Sequence, residues 1–371
     1  MRILHVITTL GVGGAEKHLL MLAAGQRRRG HETHVAYLKG EGELTAAFEA
    51  EGVKVERLHP PGAGGGGGLG ELLAARGRLR RLVATLRPDV VHTHLLKADA
   101  LGALAADGVP LVASKHNDER ALLRWPVGVV HGLLSRRVAR TIALSDHVAA
   151  FVAQHGRVPR QRITRIYYGI DPAALQPRRG RAEVRAELGL PAAAPVLVCV
   201  GRLAPQKDHP TLLAALARLP AEVVLLIVGG DPFGDGEARL KAKAAELGVA
   251  GRARFLGIRH DVPDLLAASD LFVLPSLWEG LGLVFLEAMA VGLPVVATTV
   301  SAIPEVVEDG ATGWLVPPGD PERLAATIAQ ALADPRERER RGDLGRQRLD
   351  GRFGLERMLD EVLAVYAEVA R

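Results

Sequence analysis

Two glutamates and two cations carry the clearest chemistry in this 371-residue chain. Glu279 sits in a glycine-rich loop with Gly280 and Gly282, and Glu287 follows two helical turns later, where the apolar run Leu271 to Leu274 ends and an alanine-rich helix begins. At the carboxyl end of a strand in a parallel α/β sheet ligands gather, and the next helix N-terminus offers unpaired N–H groups to an anion. A loop carboxylate for a sugar, the amides after Gly282 (Leu283 and Val284) for a phosphate and a helix carboxylate for a ribose diol together describe a nucleotide-sugar pocket. The two glycines let a ligand approach the backbone closely. The plainer reading makes Glu287 a solvated helix residue and Glu279 a loop charge. Upstream, the strand-like run Val196 to Val200 leads into Gly201-Arg202-Leu203-Ala204-Pro205-Gln206-Lys207. Arg202 can fork onto phosphate oxygens, with Lys207 a point charge beside it. Fixed cations at such a place stabilise the charge that develops when a nucleoside diphosphate departs.

The words around Glu279 and Glu287, with Gly280 and Gly282 between them and Pro275-Ser276 before, resemble the paired-glutamate motif of the retaining glycosyltransferases of family 4, which have the GT-B fold. The resemblance covers nearly the whole chain and is strongest from Val196 to Asp320. It implies an α/β protein of two Rossmann-like, doubly wound domains facing a cleft. Residues 1–172 would bind the acceptor and 173–371 the nucleotide-sugar, with a last helix at about 355–369 returning to the first domain. The implied reaction moves a sugar from a UDP- or GDP-sugar to an acceptor hydroxyl, sugar or lipid-linked, with retention at the anomeric carbon. By the same resemblance Arg202 and Lys207 hold the diphosphate and Glu287 the ribose. Glu279, with the amides of Gly282, Leu283 and Val284, holds sugar hydroxyls or phosphate. The strand Arg254 to Ile258 ends towards the nucleobase, and Gly13, Gly14 and His116 complete the site. No residue is an obvious covalent nucleophile, which fits a front-face substitution. No Asp-x-Asp word stands at a strand end, so neither a metal nor another cofactor is expected.

The elements that must position these residues read as alternating strands and helices. In the first half the strands are Ile3 to Ile7, Val35 to Leu38, Val53 to Leu58, Val90-Val91, Leu111 to Ala113 and Thr141 to Leu144. The turn Gly11-Val12-Gly13-Gly14-Ala15-Glu16 follows the first strand and opens a helix, a place to cradle a phosphate. His92 and His94 share a strand face, and a metal is conceivable there, but a third ligand is hard to place. His116 follows a strand; the family reading has it touch the donor, the plain reading packs it at the domain edge. Ser145-Asp146 resembles a serine-acid turn, in which Asp146 could equally cap a helix. Before Gly169 the family usually has asparagine where this chain has Tyr168. In the second half Asp231-Pro232-Phe233 looks like an insertion, and Val295 to Thr298 and Ile303 to Val307 continue the pattern.

The formal charge of +5 is uneven: residues 1–172 hold 24 Lys and Arg against 15 Asp and Glu, the remainder 23 against 27. The basic half has an anionic partner to attract. One candidate lies at 62–87, a run of glycines followed by a helix whose Leu72, Leu79, Val83 and Leu86 form a stripe with Arg78, Arg80 and Arg81 off it. It is either a core helix with a solvated basic face or a seat on an anionic membrane. Nucleic acid is disfavoured, because the basic residues are not interleaved with aromatics. One cysteine, Cys199, excludes an internal disulfide. No apolar run approaches the roughly 20 residues of a membrane span, and the N-terminus lacks a signal-peptide core. The expected address is cytoplasmic, with peripheral membrane attachment an option. A GT-B epimerase, a pyridoxal-dependent phosphorylase and a non-catalytic sugar-nucleotide-binding module are the rivals.

Overall fold

The structure, a computed structural model, describes residues 1–59, 69–231 and 234–370. The glycine run 62–68 and the inserted Pro232-Phe233 lie outside the described residues. The chain forms two compact units, Met1–Gly169 with Leu355–Arg371, and Ile170–Gly354.

The first unit is built on seven strands: β1 (Arg2–Ile7), β2 (Glu32–Tyr37), β3 (Lys54–Arg57), β4 (Val90–His94), β5 (Leu111–Lys115), β6 (Arg140–Ala143) and β7 (Ile163–Arg165). They run parallel in the order β3-β2-β1-β4-β5-β6-β7. The order reverses between β1 and β4, which places a switch point there. Every residue of β4 and β5 is buried. Central parallel strands covered on both faces are normally near-continuous apolar runs. Here His92, Thr93, His94, Ser114 and Lys115 are interior instead, so each needs an internal partner.

The helix Leu69–Leu86 buries Ala75, Leu79 and Val83. Leu72 departs from the expected stripe: it is 39% exposed, because the buried face begins one turn later. Three of the four arginines of this helix have partners within the unit, and Arg81 is exposed. Arg76 donates to Leu104 O at 2.8 Å, Arg78 to Leu58 O at 3.1 Å, and Arg80 pairs with Asp107 at 3.3 Å. The helix Leu355–Val369 lies in this unit and buries Met358, Leu359, Val362 and Tyr366. Gly25 makes room for it, since a Cβ there would meet Leu359 Cδ1 at 2.5 Å.

The second unit has six parallel strands, β8 (Val196–Val200), β9 (Val224–Val228), β10 (Ala253–Phe255), β11 (Leu271–Leu274), β12 (Val295–Thr298) and β13 (Gly313–Val316), in the order β10-β9-β8-β11-β12-β13. Its switch point falls between β8 and β11. One expected element differs. β10 stops at Phe255 instead of reaching Ile258, because Gly257 takes φ +64° and turns the chain. Ile303–Val306 continues the alternation after β12 as a short helix; Pro304 in its first turn is pre-set for helix entry.

Candidate functional site

At the switch point of the second unit the loops after β8, β9 and β10 are stitched together by their backbones. Gly201 N–H donates to Val228 O, Leu203 N–H to Gly230 O and Gly229 N–H to Gly257 O, each at 2.8 Å. Gly229 has no substitute, because a Cβ there would stand 2.0 Å from Gly201 O. The loop after β8 is thereby held against the strand end, and Lys207 lays its stem over Gly201, 3.2 Å from where a Cβ would be.

The Lys207 ammonium pairs with Glu279, which is only 5% exposed. Ser276 Oγ donates to the same carboxylate at 2.7 Å, and Gln206 Nε2 reaches it at 3.4 Å while donating to Trp278 O at 2.8 Å. Leu277 N–H returns a bond to Gln206 O at 2.8 Å. One cation from the β8 loop and one carboxylate from the β11 loop are thus fixed in a common hydrogen-bonded frame. Ser276 and Gln206 belong to it although neither was named as a site candidate; Gln206 adjoins Lys207 in the chain, and Ser276 stands three positions before Glu279. The pair stands near Cys199, whose thiol burial pushes up to about 12. Cys199 is a packing residue, and its thiol stays protonated.

Arg202 is exposed and, among the described residues, makes no ion pair. Gly282, at φ +83°, starts the helix Leu283–Ala290 with no side-chain cap. A Cβ at Gly282 would meet Phe285 Cδ2 at 2.5 Å. The first-turn amides of Leu283 and Val284 therefore lack the side-chain acceptor that normally satisfies a helix start. Glu287 is half-buried on this helix. Ile258 is 56% exposed beyond the Gly257 turn, and its side chain covers Gly230 at 3.1 Å from a built Cβ. An exposed cation, an ion pair and an uncapped helix start thus share the β8–β11 switch point, an arrangement suited to a diphosphate with a polyhydroxyl group attached.

In the first unit Gly13 precedes the helix Gly14–Arg28 in extended conformation, without a side-chain cap. The carboxylate of Glu16 lies against it, 2.4 Å from a built Cβ, and accepts from Thr9 Oγ1 at 2.8 Å. Gly14 faces open space. Ser145, not Asp146, caps the helix Asp146–Gln154, its Oγ accepting from Val148 N–H at 3.0 Å. Asp146 is turned to Arg165 at 3.3 Å.

His116 is 5% exposed, with both ring nitrogens engaged. Tyr168, in the position where asparagine was expected, places its hydroxyl 2.8 Å from His116 Nδ1. His116 Nε2 is 3.0 Å from His94 Nδ1, His94 Nε2 is 3.0 Å from His5 Nδ1, and His5 Nε2 is 2.8 Å from Gln26 Oε1. Gln26 Nε2 reaches Tyr366 Oη at 3.4 Å, which is 2.5 Å from His92 Nδ1, and His92 Nε2 meets Ser114 Oγ at 2.8 Å. With Gln26 Oε1 as acceptor, one polarity satisfies every link: Tyr168 donates to His116, then each Nε2–H donates onward to Gln26, whose amide donates to Tyr366, which donates to His92. Burial lowers the pKa of His5 to about 4 and of His116 to about 3, and takes His92, His94 and the adjacent His18 well below the ordinary value. All five are neutral near pH 7. The ring of His116 is therefore neutral near pH 7, with both nitrogens hydrogen-bonded within the unit.

The metal question raised by His92 and His94 gains its third imidazole in His5. The three rings are linked to one another or to Gln26, Tyr366, Ser114 and His116, so the set reads as a hydrogen-bonded chain, not a ligand cage. A second cluster, Asp99, Glu119 and His131, already holds a cation of its own. The Lys115 ammonium lies 2.5 Å from Asp99, 3.0 Å from Glu119 and 2.9 Å from His131 Nε2. Burial alone would lower the pKa of Lys115, but the two carboxylates outweigh it and the net shift is upward.

Two parallel switch-point sheets define an α/β protein of the GT-B class. The family description Glycosyl transferases group 1 matches residues 180–348, and Glycosyltransferase Family 4 matches residues 12–174. A D-inositol 3-phosphate glycosyltransferase of Thermobispora bispora is 34% identical over 306 residues, 76% of this chain and 71% of the relative. That of Mycolicibacterium gilvum is 35% identical over 286 residues, 71% of this chain and 64% of the relative, so the match spans less than two thirds of that protein. Among solved structures, Anabaena Alr3699/HepE in complex with UDP and glucose superposes with TM-score 0.89 and 28% identity, over 99% of this chain and 100% of that one. The chain belongs to the family 4, group 1 glycosyltransferases. Among the described residues no helix is long and apolar enough to cross a membrane.

Proposed function

We propose that this protein transfers a sugar from a nucleoside-diphosphate sugar to an acceptor hydroxyl with retention of anomeric configuration. The observation that carries this reading is the Lys207–Glu279 pair, held by Ser276 and Gln206 at the switch point beside exposed Arg202 and the uncapped start of the Leu283–Ala290 helix. Arg202, Lys207 and the amides of Leu283 and Val284 take the diphosphate, Glu287 the ribose and Glu279 the sugar hydroxyls. Fixed charges of this kind stabilise a leaving group without reorganising during the reaction. The first unit supplies the acceptor side through Gly13 and Gly14. His116 positions without transferring a proton, since its ring is neutral and fully engaged.

Glu279 makes a poor covalent nucleophile, because Lys207, Ser276 and Gln206 all donate to its carboxylate. The reading is therefore a front-face substitution. The bond from the anomeric carbon to the β-phosphate oxygen breaks, the bond to the acceptor oxygen forms on the same face, and the acceptor proton leaves with the phosphate. No metal is required in this scheme. A uridine donor is the first to test, since HepE has been solved with UDP-glucose at 27% identity and TM-score 0.90.

A thermal-shift panel of UDP-, GDP- and ADP-sugars identifies the donor, because a ligand that binds only the folded state raises its melting temperature. With the donor in hand, Arg202→Ala is expected to lower kcat by about 10²–10³, the loss typical when one fixed donor to a developing anion is removed. Its unliganded melting temperature should be unchanged, since Arg202 is exposed. Wild-type turnover in that variant, or no shift with any sugar nucleotide, refutes the assignment.

A further inference from the structure

His18 stands one turn inside the helix Gly14–Arg28 and is 2% exposed. Its ring packs on two others, with centroids 4.2 Å from Tyr168 and 5.4 Å from His116. Both of those carry hydrogen bonds, to each other at 2.8 Å and, from His116, to His94 at 3.0 Å. His18 is different. Its buried Nδ1 has no hydrogen-bond partner, and neither has Thr8 Oγ1, just past the end of β1. Native folds leave few buried polar atoms unpaired, because each has given up water without a replacement. Two such atoms lie in the passage from β1 to its helix, at the carboxyl end of the sheet where ligands gather. They call for a partner that brings hydroxyl groups of its own.

The charges beside His18 decide what kind of hydroxyl compound that is. A bare helix start suits an anion, but here the Glu16 carboxylate lies where a Cβ of Gly13 would be and accepts from Thr9 Oγ1 at 2.8 Å. On the other side of the turn Glu43 Oε2 comes within 3.6 Å of a Cβ built on Gly11. The loop that carries Glu43 is bound to the same turn by its backbone, Lys39 N–H donating to Thr8 O and Leu44 N–H to Leu10 O, each at 3.0 Å. Residues 8–18 and 38–44 together hold three carboxylates, Glu16, Glu41 and Glu43, against two lysines, Lys17 and Lys39. Lys17 stands about 100° round the helix axis from Glu16. Burial, with His116 and His5 adding to it, takes the pKa of His18 well below the ordinary value, and burial lowers His116 likewise. Neither imidazole therefore supplies a counter-charge near pH 7. A neutral imidazole and a carboxylate both accept from a hydroxyl. A phosphate ester would bring further negative charge to a turn already flanked by two carboxylates.

We propose that His18 binds the acceptor through one of its hydroxyl groups, and that Glu16 and Glu43 make this end of the first unit selective for an uncharged polyol, a sugar or cyclitol, over its phosphate esters. The proposal rests on the sugar-transfer reading and adds to it which acceptors the first unit admits. His18 is a binding residue in it and takes no part in bond making. Donor binding is assigned to residues of the second unit, so a measurement of donor alone reports on the transfer reading by itself.

The test is saturation-transfer NMR on the whole chain, held with the donor that the thermal-shift panel selects and titrated at low salt with two pairs of probes. These are methyl α-glucoside with its 6-phosphate, and myo-inositol with its 3-phosphate. Wild type is expected to bind at least one neutral compound, and to bind it at least about tenfold more tightly than its phosphate ester, since like charges are opposed. His18→Phe keeps a ring against Tyr168 and removes both nitrogens. It should bind the neutral compound about three- to tenfold more weakly, the loss of one neutral hydrogen bond. Its unliganded melting temperature should not fall, and its shift with donor should equal that of wild type. Glu16→Gln keeps an acceptor for Thr9 and should narrow the preference over phosphate by at least about threefold. Tighter binding of either phosphate ester by wild type, no binding of either neutral compound, or wild-type affinity in His18→Phe overturns the proposal. A donor shift alongside any of these leaves the transfer reading standing, whereas no shift with any sugar nucleotide takes both readings down.

Discussion

Lowering the pH to about 5.5 should unfold the first unit well before the second. His5, His18, His92, His94 and His116 are buried and neutral there, with burial as the leading cause in each case. In the unfolded chain each returns to the ordinary imidazole value near 6.5. Below that pH the unfolded state binds protons that the folded state refuses, so stability falls as pH falls. The effect is absent above about pH 7 and grows until the folded values are reached, about 4 for His5 and about 3 for His116. At pH 5.5 each histidine costs about 1.4 kcal/mol, and the five together cost roughly 7 kcal/mol. That is comparable to the whole stability of a domain, about 5–15 kcal/mol. In the second unit, among the described residues, only His209 is lowered in this way, to about 4 by burial and then Lys207. Hydrogen exchange read by mass spectrometry, corrected for intrinsic rates, should show β4 and β5 losing several kcal/mol of protection between pH 7.5 and 5.5. The loss in β8 and β11 should stay near about 1–2 kcal/mol. Equal losses in both units, or none in β4 and β5, would show that the imidazoles are not neutral and buried as described.

Removing Glu279 by Glu279→Ala strands the enclosed ammonium of Lys207, and should cost roughly 3–5 kcal/mol in urea unfolding as well as abolishing transfer; an unchanged unfolding midpoint would mean the pair is not buried. Tyr366→Phe leaves His92 Nδ1 and the Gln26 amide without their shared hydroxyl, so a loss of about 1–3 kcal/mol is expected with little change in the second unit. Chelation by EDTA should leave the initial rate of transfer unaltered, and a rate restored only by an added divalent cation would contradict the metal-free scheme.

Much of the fold was legible because its strands are short apolar words bounded by proline, glycine or polar residues. Val196 to Val200, Leu271 to Leu274 and Val295 to Thr298 are read and found at the same residues. Where the reading slipped, a local backbone rule decided the matter. Gly257 ended β10 early, and Leu72 fell one turn outside the face that Ala75, Leu79 and Val83 bury. The charged residues of the second unit were legible as candidates because glycines and carboxylates at a strand end are a local pattern. Their pairing was not, since Lys207 and Glu279 are 72 positions apart.

The residue order alone determined the strand and helix words, the glycine turns and the presence of Arg202, Lys207, Glu279 and Glu287 at strand ends, because each depends on neighbours within a few positions. Only the tertiary structure decided what those residues and the histidines meet. Parallel pairing sets His5 opposite His92, and β4 beside β5 brings His94 to His116, so rings bonded directly across 89 and 22 positions become one hydrogen-bonded chain. The same packing makes Tyr168 the partner of His116 and closes the last helix over His92 through Tyr366. Strand register and burial are collective properties of the sheet, and no local stretch of sequence specifies which imidazole will lose its water.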